Sequence, residues 1–135
     1  MPIKQAIEEL TDLANKIIEE LEMTFEETNE IERQIIAVFC FGGVHAIAHR
    51  EGLTPPEAHG LIIALLIRKF GYSPEQAAAF AENLIQSTAP QKQDVMNAII
   101  HRGIDGHRQY QHEDYEGLRH NITEVLIAVQ EDNEK

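Results

Sequence analysis

The side chains that could do chemistry gather in two places. His45 and His49 stand four residues apart, which puts both imidazoles on one helical face, the spacing that zinc-binding helices use. A metalloprotease helix also needs a glutamate directly after the first histidine as general base, and Ala46 occupies that position. Local spacing fixes no third ligand; His59 or Glu51 would serve only if the fold brought it near. A metal-binding helical enzyme on His45 and His49 is therefore the alternative reading. The preferred one is two packing histidines at the end of an apolar helix, hydrogen-bonded to other helices. No cofactor is expected.

The second place is His101, Arg102, Asp105, His107, Arg108, His112 and Asp114, the densest polar cluster in the chain, interleaved with Tyr110 and Tyr115. Asp105 and His101 could act as acid and base, yet no serine or cysteine accompanies them as nucleophile. Gly103-Ile104-Asp105-Gly106 lacks the lysine and the preceding strand of a phosphate-cradling loop. The cluster then reads as a solvated connector capping two helices, or as a partner-binding surface, for which histidine, arginine and tyrosine are suited. No enzyme is expected.

Charge narrows the partner. The net charge is −12, and residues 1–32 alone carry ten acids against two lysines. Such a surface repels phosphate backbones, so no nucleic acid is expected; it steers the chain towards a basic partner instead. Glu19, Glu20, Glu22, Glu26 and Glu27 are the acids best grouped for that attraction. The segment from Thr54 to Ile85 looks like a helix-turn-helix on paper. Its second helix would carry Glu75 and Glu82 and no lysine or arginine, which excludes a DNA reader.

The elements that position these residues follow from apolar spacing. Ile35 to His49 is fifteen residues without a formal charge, too short and too histidine-tipped to cross a bilayer, and no membrane is expected. A helix apolar all round belongs inside a bundle, so residues 29–50 form its central helix. Gly42-Gly43 within it needs compensation, from a neighbouring backbone packed close or from a kink. Cys40 lies in the same run as a buried small hydrophobe, and a lone cysteine forms no internal disulfide. Ahead of it, residues 1–28 hold an acidic amphipathic helix with Ile7, Leu10, Leu13, Ala14, Ile17 and Ile18 on one stripe.

Thr54-Pro55-Pro56-Glu57 and Ser73-Pro74-Glu75-Gln76 are helix starts, and Gly52 and Gly71 are stops. The third helix, through Leu61 and Leu65 to Phe70, should lie against the central one. A fourth runs to Ser87 with Pro90 after it, a fifth covers 92–102 and closes at Gly103, and a last one spans Tyr115 to Glu131. Residues 104–114 show little periodicity, and 132–135 form a frayed acidic tail. The expectation is an all-α single domain over 1–135, a helical bundle of five to seven helices. No secretory start is visible, because Glu8 and Glu9 interrupt the apolar core such a signal needs, so a cytoplasmic chain is expected.

Two stretches together resemble a known family. They are Tyr72-Ser73-Pro74-Glu75-Gln76-Ala77, continuing to Phe80 and Leu84-Ile85, and Ile99-Ile100-His101-Arg102-Gly103-Ile104-Asp105-Gly106. They are similar to the immunity protein 48 family, all-helical proteins encoded beside toxins of bacterial polymorphic toxin systems. The resemblance covers roughly residues 32–129 and carries no assigned functional residues; His107 and His112 depart from its pattern. It implies an inhibitor that binds one cognate protein toxin in the cytoplasm. A homodimeric helical adaptor, paired through an exposed part of the third helix, is the remaining alternative.

Overall fold

The structure is a computed structural model that describes residues 2–89 and 94–133. Their order is α1 (Pro2–Glu20), a 3₁₀ turn (Phe25–Glu27), α2 (Glu30–Glu51), α3 (Pro55–Arg68), α4 (Pro74–Gln86), α5 (Val95–Gln111) and α6 (Tyr115–Asn133). The described residues are all-α, packed as a helical bundle. The helices start where side chains can take up the orphan amides of a first turn. Asn29, Thr54 and Ser73 each accept from the third residue on, and Glu32, Glu57 and Gln76 bond back, completing three capping boxes. Asp94 accepts from the Asn97 amide at 2.8 Å and so begins α5.

α2 is the axis of the bundle. Ile35 to Val44 is buried without a gap, and Ile47 follows one turn later. By length and composition α2 qualifies for a bilayer span, but most of its apolar length is covered by its neighbours. Those neighbours are chiefly α5, then α1 and α3. The buried Leu10, Leu13 and Ile17 of α1, Leu61 and Leu65 of α3, Leu84 of α4 and Leu118 and Ile122 of α6 complete one core. Cys40 is fully buried within it, and that burial pushes its thiol up to about 12, so it sits there as an unreactive apolar group.

Several expectations need correction. The fifth helix does not close at Gly103: α5 continues to Gln111, and only 112–114 are left to connect it to α6. Gly103 and Gly106 are interior positions where α5 crosses α2. A Cβ on Gly103 would collide with the backbone of Phe39, one on Gly106 with the Phe39 ring, and one on Gly42 with the Ile100 carbonyl and the Gly103 backbone. This is the close backbone packing that compensates Gly42, and the partner is α5. α3 touches α2 as expected, but it is not the closest neighbour. The amphipathic helix of residues 1–28 ends at Glu20, and Thr24 with Glu27 opens the separate 3₁₀ turn. α6 runs through positions 132 and 133, where the sequence suggests fraying; Pro90, the start expected at 92, and 134–135 lie outside the described residues.

Candidate functional site

The polar cluster of the sequence falls almost wholly on α5, and the helix sorts it into faces. Towards the core point Gly103, Gly106 and His107, the last only 3% exposed. Its ring Nε2 meets Glu9 Oε2 of α1, and Arg50 of α2 closes a bidentate pair on the same carboxylate at 2.8 and 3.1 Å. Burial raises the Glu9 carboxyl, but the hydrogen bonds and charges of Arg50 and His107 overcome it and hold the group below its ordinary range. One turn on, the Tyr110 hydroxyl donates to Asp12 of α1. Burial, this hydrogen bond and the neighbouring acids push its ionisation far upward, so it is a fixed donor.

On the other flank, Arg102 donates from Nε to Asn121 Oδ1 at 2.6 Å and from its guanidinium to Glu124 Oε2 at 2.7 Å, both on α6. Asn121, itself buried, returns a bond to the Arg102 carbonyl at 3.0 Å. Thus Arg102, His107 and Tyr110 tie helices together. Tyr115 opens α6 with the Lys16 ammonium 4.7 Å over its ring, which ties it towards α1.

The outward face of α5 keeps His101, Ile104, Asp105 and Arg108 exposed at helical spacing. Asp105 pairs with Arg108 at 3.0 Å, and the His101 Nδ1 hydrogen-bonds the Asn97 carbonyl at 2.9 Å. The acid–base pairing of Asp105 with His101 is therefore not formed. Beside His101 the face continues into a groove shared by His45, Thr88, Asn97 and Ile104.

His45 and His49 are exposed, which corrects the expectation that they pack into the bundle. The His45 ring leans edge-on against Phe41 at 4.9 Å; that partial loss of water, with the like charge of His101, lowers its pKa. Among the described residues no group of three histidine, cysteine or acidic side chains is placed to hold a metal. Exposed large hydrophobics among them are Ile31, Ile85, Val95, Ile104 and Ile127, and none of these lies on α3, the expected dimer face.

The grouped acids surround the turn between α1 and α2. Glu19, Glu22, Glu26 and Glu27 are exposed and Glu20 is half-buried. Glu27 is partly occupied by capping, since its carboxylate accepts from the Thr24 amide at 3.0 Å. Two residues with roles here are not signalled by local spacing. Glu9 and Asp12 read as ordinary solvated acids of an amphipathic helix, and their partners on α5 stand 98 positions away.

Every polar group on α5 is thus either a strut or an exposed contact, and neither arrangement brings a nucleophile to an acid–base pair. No curated protein and no solved structure matches the chain. A family described as Immunity protein 48 matches residues 6–130, which includes all of α3, α4 and α5 and nearly all of the rest. The chain belongs to the immunity protein 48 family.

Proposed function

We propose that this chain neutralises a cognate protein toxin of a bacterial polymorphic toxin system by binding it in the cytoplasm of the cell that makes both. The observation that carries the reading is the family match over residues 6–130, since the family name implies an immunity protein and hence a toxin partner rather than a substrate. The charge of −12 supports it, because an acidic inhibitor meets a basic toxin quickly. Glu19, Glu20, Glu22, Glu26 and Glu27 supply the long-range attraction, and the exposed His101, Asp105 and Arg108 supply close contacts. Arg102 and Tyr110 hold that face in place from behind.

Co-expression tests this directly. The toxin domain encoded beside this chain's gene is induced with and without the chain, and survival is scored. Rescue by the chain is the expected result. Equal killing in both arms, with the chain folded and abundant, overturns the reading for that pair. Reversing the five glutamates should slow association and flatten its salt dependence while leaving dissociation nearly unchanged.

A further inference from the structure

Away from the outward face of α5, a cleft of about 490 Å³ opens between α2, α4 and the first turns of α5. Its floor is apolar, formed by Ile35, Val38, Phe80 and Met96, and its rim carries Glu30, Gln34, Gln76 and Asn83. No lysine or arginine lines it. The nearest cation in sequence, Arg33, is occupied elsewhere: it donates to the Thr28 carbonyl at 2.7 Å and the Thr28 hydroxyl at 2.9 Å. No ion pair reaches Glu30 among the described residues, and Ile31 beside it is 45% exposed.

Tyr72 forms one wall, its ring 5.7 Å from that of Phe80. Its hydroxyl is shut away from solvent and has no hydrogen-bond partner among the described residues. Buried polar atoms normally find partners, so this hydroxyl is a donor in want of an acceptor. Burial and the nearby Glu30 charge raise its pKa, against a smaller opposing effect of Arg33, which keeps it protonated and able to donate.

We propose that this cleft is the seat of a cationic amphipathic segment of the protein toxin, with an apolar side chain on the floor, a lysine or arginine against Glu30, and a backbone carbonyl that accepts from Tyr72 once its ring turns towards the cleft. This rests on the immunity reading and names where and by what chemistry the partner is held. The apolar floor supplies burial, and the amides of Gln34 and Asn83 suit a peptide backbone. The unopposed carboxylate selects the sign of the charge. An apolar anchor within a polar rim is how grooves take a partner helix or loop.

The test titrates the catalytically inactivated toxin domain encoded beside this chain's gene against the full-length protein by calorimetry. The variants are Ala79→Arg, Tyr72→Phe, Glu30→Gln and, as a charge control on α1, Gln5→Arg. Ala79 is exposed on α4 and lines the cleft, so the arginine fills it and adds the wrong charge without entering the core. Ala79→Arg should weaken binding at least 100-fold, Tyr72→Phe about 5- to 10-fold, and Gln5→Arg less than 2-fold. Glu30→Gln should weaken it at low salt and leave a shallower salt dependence. Thermal melts of the free variants separate misfolding from lost contact, and Tyr72→Phe still decides if Ala79→Arg unfolds.

If wild type binds and the cleft variants bind equally well, the cleft proposal is overturned while the immunity reading stands. Should wild type neither bind nor protect, the immunity reading falls and the cleft proposal with it.

Discussion

Helix α5 meets its neighbours in two unlike ways. Against α2 it offers Gly103, and α2 answers with Gly42 and the backbone of Phe39, so there the helices touch main chain to main chain, while Gly106 makes room for the Phe39 ring. Against α1 and α6 it offers His107, Tyr110 and Arg102, each with a polar partner across the gap. At Gly42 and Gly103 the first seam depends on atoms that are absent and has no side chain that could turn aside. The second depends on charges and protons, so it gives way gradually and responds to pH. One helix thereby carries a rigid joint on one side and adjustable joints on the others.

The largest effect should come from the glycine seam. Gly103→Ala adds a single methyl, but it would run into the carbonyl of Phe39, which cannot rotate away. We expect a loss of about 3 kcal/mol or more, at the upper end of overpacking costs, read by urea unfolding. Gly42→Leu should cost at least as much, because its Cβ would meet the Ile100 carbonyl and the Gly103 backbone whatever rotamer the rest of the side chain takes. A Gly103→Ala variant as stable as wild type would mean that α2 and α5 can slide apart freely, and the contrast between the seams would fail.

Next comes Glu9, which serves both His107 and Arg50. Glu9→Ala leaves a buried imidazole without its partner, for an expected loss of about 2 kcal/mol. The pH dependence sharpens the point. A carboxyl held below its ordinary 4.5 stabilises the fold fully above that value, and the contribution fades as pH falls through the lower folded value. The stability gap between wild type and Glu9→Gln should therefore be widest near neutrality and narrow as pH drops below 4.5. Parallel acid-unfolding curves would show that the polar seam carries no proton linkage.

Tyr110→Phe should be milder, about 1 kcal/mol, because only one hydrogen bond at a half-exposed position is lost. The smallest effect lies outside both seams, at Glu113. That residue adopts a left-handed φ of 57° just past α5, and the Asp114 amide donates back to the Gln109 carbonyl at 2.8 Å to finish the turn. Glu113→Gly should relieve the strain and raise stability by up to about 1 kcal/mol, visible as a higher melting temperature. A decrease there would mean that the Glu113 side chain has a role beyond the turn.

These turns explain what is legible in the sequence. Gly52 and Gly71 stop their helices in the left-handed conformation, as glycine should, and both ends can be read directly from the chain. The ends of α1 and α5 use Glu22 and Glu113 for the same turn, which no propensity marks. At Gly103 a glycine that looks like a stop is instead a contact, and only the partner backbone distinguishes the two. The family-bearing stretches, the capping boxes and the apolar α2 are all readable because each is local. The candidate surface is readable only in part: residue types single out the segment, but helical phase decides that His101 and Asp105 face outward while His107 faces in. The cleft at Tyr72 depends on three helices meeting, and nothing in their separate sequences announces it.

The polar seam also sets an order of events during synthesis. Glu9 and Asp12 wait for partners that stand 98 positions later in the chain. At roughly 5–20 residues per second, that interval is about 5–20 s during which α1 has been made and its α5 partners have not. Helix α1 thus leaves the ribosome well before α5 and is among the last to be locked. Its acidic outer face keeps like chains apart through that wait, a service rendered before any partner is met.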